Sequence, residues 1–101
     1  MKSIKIMGQK IKIIRVKDMK NFGEFDGDKG EIHIKKGLQP EQELDTILHE
    51  CVHAVLFYSG QSFVIDNEEL EEGIVRAIEY NYLPIVKEVL KREYTKQIKK
   101  D

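Results

Sequence analysis

The chain has 101 residues, of which 41% are hydrophobic and 35% charged, so it has room for one globular domain with one modest core. No apolar run approaches the roughly 20 residues of a membrane span, which excludes a helical membrane protein. The formal net charge is −1, and the single cysteine, Cys51, excludes a disulfide-stapled scaffold and fits a reducing compartment.

Charge is unevenly spread. Residues 1–36 hold ten Lys/Arg against five Asp/Glu, residues 37–83 one against ten, and residues 84–101 six against three. An acidic middle between basic ends suits a domain that gathers carboxylates around a cation. The basic ends come without the aromatic or glycine-rich motifs of nucleic-acid recognition, so neither nucleic acid nor membrane is expected as a partner. Met1-Lys2-Ser3-Ile4-Lys5 alternates charged and apolar residues, unlike a secretory signal, and a cytoplasmic protein is expected.

In chain order, residues 2–6 and 10–16 alternate lysine with β-branched residues, the period of a half-buried strand, with Gly8 at the turn between them. Residues 23–26 form a third candidate strand. Asp26-Gly27-Asp28-Lys29-Gly30 is a turn signal, after which Glu31-Ile32-His33-Ile34-Lys35 alternates again as the second arm of a hairpin.

From Pro40 the period becomes helical. Pro40 suits a first helical position, Glu41 and Glu43 complement the helix N-terminus, and Ser59-Gly60 closes the element. Leu44, Ile47, Leu48, Cys51, Val55 and Leu56 define its expected buried face. Residues 61–65 read as a loop. A second helix is expected to start near Asp66, with Asp66 and Glu69 as a capping box and Leu70, Ile74, Val75, Ile78 and Tyr82 turned inward. Pro84 then kinks this helix or opens a third, ending near Lys99. The expected fold is α+β: a small antiparallel or mixed N-terminal sheet followed by two or three helices, in one domain over 1–101.

The chemistry is concentrated in His49-Glu50-Cys51-Val52-His53, an H-E-x-x-H sequence. Histidines four apart on a helix lie one turn apart on the same face, so both rings can reach one cation. Zinc accepts such nitrogens, and a hydrolytic zinc site keeps one position for water, which Glu50 would deprotonate as general base. The metzincin extension needs Gly and His where this chain has Leu56 and Ser59, so that subclass is excluded. His33, on a strand, is expected at the surface or in a groove. The third ligand is then expected from Asn67-Glu68-Glu69-Leu70-Glu71-Glu72. On a helical wheel Glu71 sits mid-face with Ile74, Val75 and Ile78, and Glu72 at the edge beside Val75 and Glu79; the wheel leaves both open. Cys51 is expected to be a small buried residue rather than a ligand. No residue stands out as the oxyanion donor among Tyr58, Tyr80, Tyr82 and Arg76.

The β-rich start, the segment Thr46-Ile47-Leu48-His49-Glu50-Cys51-Val52-His53-Ala54-Val55-Leu56, and the acidic segment Glu71-Glu72-Gly73-Ile74-Val75-Arg76-Ala77-Ile78-Glu79 together resemble the small phage-encoded metallopeptidases. These are similar to the ImmA/IrrE-type zinc peptidases of bacteria and mobile elements. The resemblance implies a minimal zincin-like fold and a gluzincin-like site: Zn2+ held by His49, His53 and Glu72, with Glu50 catalytic. Glu72 takes the ligand role through register on Val75-Arg76-Ala77-Ile78. A protein or peptide substrate is implied, cleaved in the host cell cytoplasm if the chain is phage-encoded, and paired with residues 31–35 as an exposed edge strand. The alternative is an inactive metallopeptidase-fold binding module; a purely structural zinc site would have no use for Glu50.

Overall fold

The alternation of lysine with isoleucine does build strands. The computed structural model describes the backbone of residues 1–100 and the side chains of residues 1–93. Strands β1 (Ser3–Ile6), β2 (Gln9–Val16), β3 (Gly23–Asp26) and β4 (Glu31–Lys35) form one mixed sheet in the order β1-β2-β4-β3. β1–β2 and β3–β4 are antiparallel and β2–β4 is parallel. The turn at Met7-Gly8 has positive φ at both residues, which matches the right-handed twist of the strands it joins. The architecture is α+β, a four-stranded sheet followed by helices.

Period two sorts the strands cleanly. Ile6, Ile11, Ile13, Ile32 and Ile34 all face one side and are buried there with Ile47 and Ala54 of helix α1 (Pro40–Tyr58). The opposite face carries Lys12, Ile14, Glu24, Glu31 and His33. One layer of isoleucine against one helix is the core.

α1 begins at Pro40, and its last turn is finished at Ser59-Gly60, where the Ser59 N–H donates to the Val55 carbonyl at 3.0 Å and the Gly60 N–H to the Phe57 carbonyl at 3.1 Å. Its buried residues are Thr46, Ile47, Glu50 and Ala54, a face rotated from the expected one; Leu44 and Val55 are largely exposed. Small side chains win because the sheet comes very close. A Cβ on Gly23 of β3 would lie 2.5 Å from Thr46 Cγ2, 3.2 Å from the His33 carbonyl oxygen and 3.3 Å from Glu50 Cγ. Gly23→Ala is therefore expected to cost about 1–3 kcal/mol by overpacking, seen as a lower urea midpoint. An unchanged midpoint would mean that α1 is not seated on β3 this tightly.

Residues 61–65, read from sequence as a loop, form a short helix α2 (Gln61–Ile65). The next helix, α3 (Glu68–Asn81), is capped by Asn67, whose side chain accepts from the Leu70 N–H at 2.9 Å, rather than by Asp66. Asp66 instead ends α2 in the left-handed conformation, φ 43°. Val75 is fully buried, but Leu70 and Tyr82, expected inside, are exposed. Pro84 opens a separate helix, α4 (Leu83–Lys100), as its missing N–H suits a first turn. Two ion pairs tie the pieces to α1: Arg15 of β2 to Glu43, and Lys87 of α4 to Asp45. Among the described residues no helix is long and apolar enough to cross a membrane.

Candidate metal centre

His49 and His53 sit one turn apart on α1 and face α3. His49 meets Glu79 and His53 meets Glu71, so the two helices run in opposite directions. That pairing puts Glu72 between the rings: His49 Nε2 is 2.9 Å from Glu72 Oε1, and His53 Nε2 is 3.1 Å from Glu72 Oε2. One ligand atom from each of His49, His53 and Glu72 lies within 4.8 Å of the others, and the three could hold a metal ion.

The remaining ring nitrogens are also held by carboxylates. Glu79 Oε2 lies 3.0 Å from His49 Nδ1, and Glu71 Oε2 lies 2.7 Å from His53 Nδ1. Each imidazole thus meets an acceptor-only group at both nitrogens. A neutral ring has one N–H to give, so its other nitrogen points a lone pair at a carboxylate oxygen. A cation between the Nε2 atoms and Glu72 resolves that conflict, while the Nδ1–H groups donate outward to Glu79 and Glu71. Two donors about 2.0–2.1 Å from one ion in a tetrahedron are themselves about 3.3 Å apart, close to the spacings seen. The donor set therefore fits a divalent cation.

This resolves what the helical wheel leaves open. Glu72 faces the Nε2 pair, and Glu71, expected at mid-face, orients His53 instead. Glu79 is the residue that sequence reasoning missed as a participant. Its signal was present: it lies two turns after Glu72 and shares that residue's face. Glu79→Ala is expected to weaken metal binding about 10- to 100-fold by releasing the His49 ring, as read by competition with a chromogenic chelator. Unchanged affinity would remove Glu79 from the site.

Glu50 is 6% exposed and lines the cleft beside His49 and Glu72. Among the described residues no side chain or N–H donates to its carboxylate. Burial raises its pKa, opposed by the His49 and His53 rings and reinforced by Glu72 and Glu24. For Glu71, burial also works against the charge, but hydrogen bonds from Ser62 and His53 and the pull of the His53 ring prevail, leaving its pKa below the ordinary carboxylate value. Burial pushes the Cys51 thiol up to about 11, with Glu50 adding to the effect. Cys51 packs against the core and stays out of the metal group.

The other candidates fall apart. His33 lies on the open face of the sheet, 2.9 Å from Glu31. Tyr58 packs against Phe25, and Tyr82 is exposed away from the cleft. Arg76 and Tyr80 do line it. Residues 31–35 are not an edge: β4 is interior, paired to β2 on one side and β3 on the other. The parallel β2–β4 ladder fills the side of β4 that a hairpin alone would leave free. The edge beside the metal group is β3. Matched against protein-family models, curated proteins and solved structures, the chain finds no counterpart in any of the three.

Proposed function

We propose that the protein is a zinc-dependent peptidase, and most naturally an endopeptidase. The observation that carries this reading is the pairing of two Nε2 atoms on one carboxylate with a buried, unbonded glutamate next to the first histidine. His49, His53 and Glu72 would hold the ion, and an N2O donor set with an open position suits zinc. When bound, zinc would polarise a carbonyl and lower the pKa of water.

The chain's own residues supply the rest. Glu79 and Glu71 fix the rings so that their Nε2 lone pairs converge. Glu50, whose burial strengthens its hold on a proton, takes one from the attacking water and can return it to the leaving amine. Arg76 lines the cleft on both sides of the histidines and is the group best placed to donate to a developing oxyanion. A polypeptide is favoured as substrate because β3 leaves an unpaired strand edge along the cleft, ready to pair with an extended chain. The likeness of the two motif-bearing helices to ImmA/IrrE-type peptidases supports the same reading.

The test is cleavage of an unfolded polypeptide by zinc-loaded protein with Glu50→Gln in parallel. Fragments from the parent and none from the variant are expected. If the parent makes none either, a binding module remains.

A further inference from the structure

Two cavities flank the histidines, of about 720 Å3 and about 560 Å3, and both are lined by Gly23, His49, Glu50, Glu72 and Arg76. They are two arms of one cleft, and their chemistry differs. The larger arm adds Glu24 and Asp28 from β3 and its turn, and Glu68 and Glu71 from the start of α3. With Glu50 and Glu72 that makes six carboxylates facing one guanidinium, Arg76. A divalent cation at the histidines still leaves the arm net negative. Glu71 is engaged by His53; Glu24 reaches the rim from the open face of the sheet, 4.0 Å from His33 Nδ1, and it, Asp28 and Glu68 are exposed. The smaller arm is walled by Phe22, Tyr80, Leu83 and Pro84. Among the residues it adds, Lys87 pairs with Asp45 and Glu79 lies against His49, so it adds one net negative charge where the larger arm adds four. Phe22 and Tyr80 are 51% and 70% exposed, so large apolar surface stands uncovered at that mouth.

Resting on the peptidase reading, we propose that the cleft selects a polypeptide segment with a Lys or Arg on one side of the cleaved bond and a large apolar residue on the other. β3 and its flanks run between the arms: Phe22 and Gly23 border the apolar one, and Gly23, Glu24, Phe25, Gly27 and Asp28 border the acidic one. A chain paired to that edge runs past both arms, its side chains alternating between the two faces of the sheet. The buried, unpartnered Glu50 opens into their junction. The acidic arm favours the cation through its summed negative charge, most strongly at low ionic strength, and the apolar arm favours the hydrophobe through burial of Phe22 and Tyr80.

Two readouts separate this proposal from the activity on which it rests. Zinc-loaded protein is given a randomised peptide library and the cut sites are read by mass spectrometry. Lys/Arg should be enriched on one side of the cut and Phe, Leu or Tyr on the other, in fixed order. Independently, a labelled peptide with Lys and its matched Gln version are titrated into zinc-loaded Glu50→Gln protein and followed by anisotropy. The Lys peptide should bind about tenfold more tightly at low salt, and the preference should vanish in the double variant Glu24→Lys/Glu68→Lys. Both substituted positions are exposed, so the fold is not at stake. Equal binding of the two peptides, or a preference that survives the double variant, overturns the proposal. Absence of cleavage beside an intact Lys preference would sink the peptidase reading and leave the cleft's selectivity standing.

Discussion

Glu50→Gln is expected to lower peptide hydrolysis by about 10²- to 10⁴-fold or more while leaving metal content unchanged. The substitution keeps the side chain's shape and removes the ability to take a proton. The metal group is formed by His49, His53 and Glu72, so its stoichiometry should not move. A second effect distinguishes this variant from a merely damaged protein. Glu50 is buried without a donor among the described residues, and its folded pKa is raised by burial. A carboxylate with a folded pKa above its unfolded one costs stability when pH is above both, and that cost fades as pH falls through the folded and then the unfolded value. Metal-free Glu50→Gln should therefore melt higher than metal-free parent at neutral pH. The gap should close in acid. Scanning calorimetry of both proteins across pH checks it, and a variant that melts lower throughout would show Glu50 to be a structural residue.

Stripping the metal is expected to lower the melting temperature of the zinc-loaded protein by roughly 10–20 °C. Free ion at a hundred times Kd contributes about 2.7 kcal/mol, and each kcal/mol moves a domain of this size by about 4–8 °C. The candidate ligands come from α1 and α3, and α3 has one fully buried side chain, Val75. A cross-link there has large leverage. His53→Ala should reproduce the chelated melting curve and become insensitive to chelator. Glu72→Ala should lose less, because the two rings stay held by the helix and by Glu79 and Glu71. Equal losses in the two variants would tell against that preorganisation, and an indifferent parent melting curve would tell against the metal site itself.

The strands and the histidine helix were legible because their signals are local. Lysine–isoleucine alternation needs no knowledge of neighbours, and a four-residue spacing places two rings together on any helix. Features that depend on how elements dock were not legible. Hydropathy assigned the inward face of α1 to Leu44 and Val55, whereas the sheet's approach at Gly23 favours Thr46 and Ala54 there. Glu71 and Glu72 are neighbours on one helix, and only the antiparallel seating of α3 on α1 decides which one meets the Nε2 atoms. β4 reads as a hairpin arm, and a hairpin does not reveal that β2 will cover its far side in parallel. Asn67 was passed over because Asp66 and Glu69 have a capping-box spacing, but α2 ends on Asp66 in the left-handed region.

The buried side chains are unevenly shared: the sheet and α1 hold nearly all of them, while α3 contributes Val75 alone. Opening of the native state should follow that gradient. Amides of α3 will exchange with solvent through a low-energy peeling of the helix, while those of β2 and β4 wait for global unfolding. Because Glu72 rides on the loosely seated partner, ion entry and escape would be gated by the same excursion. The exchange rate of an ion bound there would then be a property of helix undocking, not of ligand chemistry.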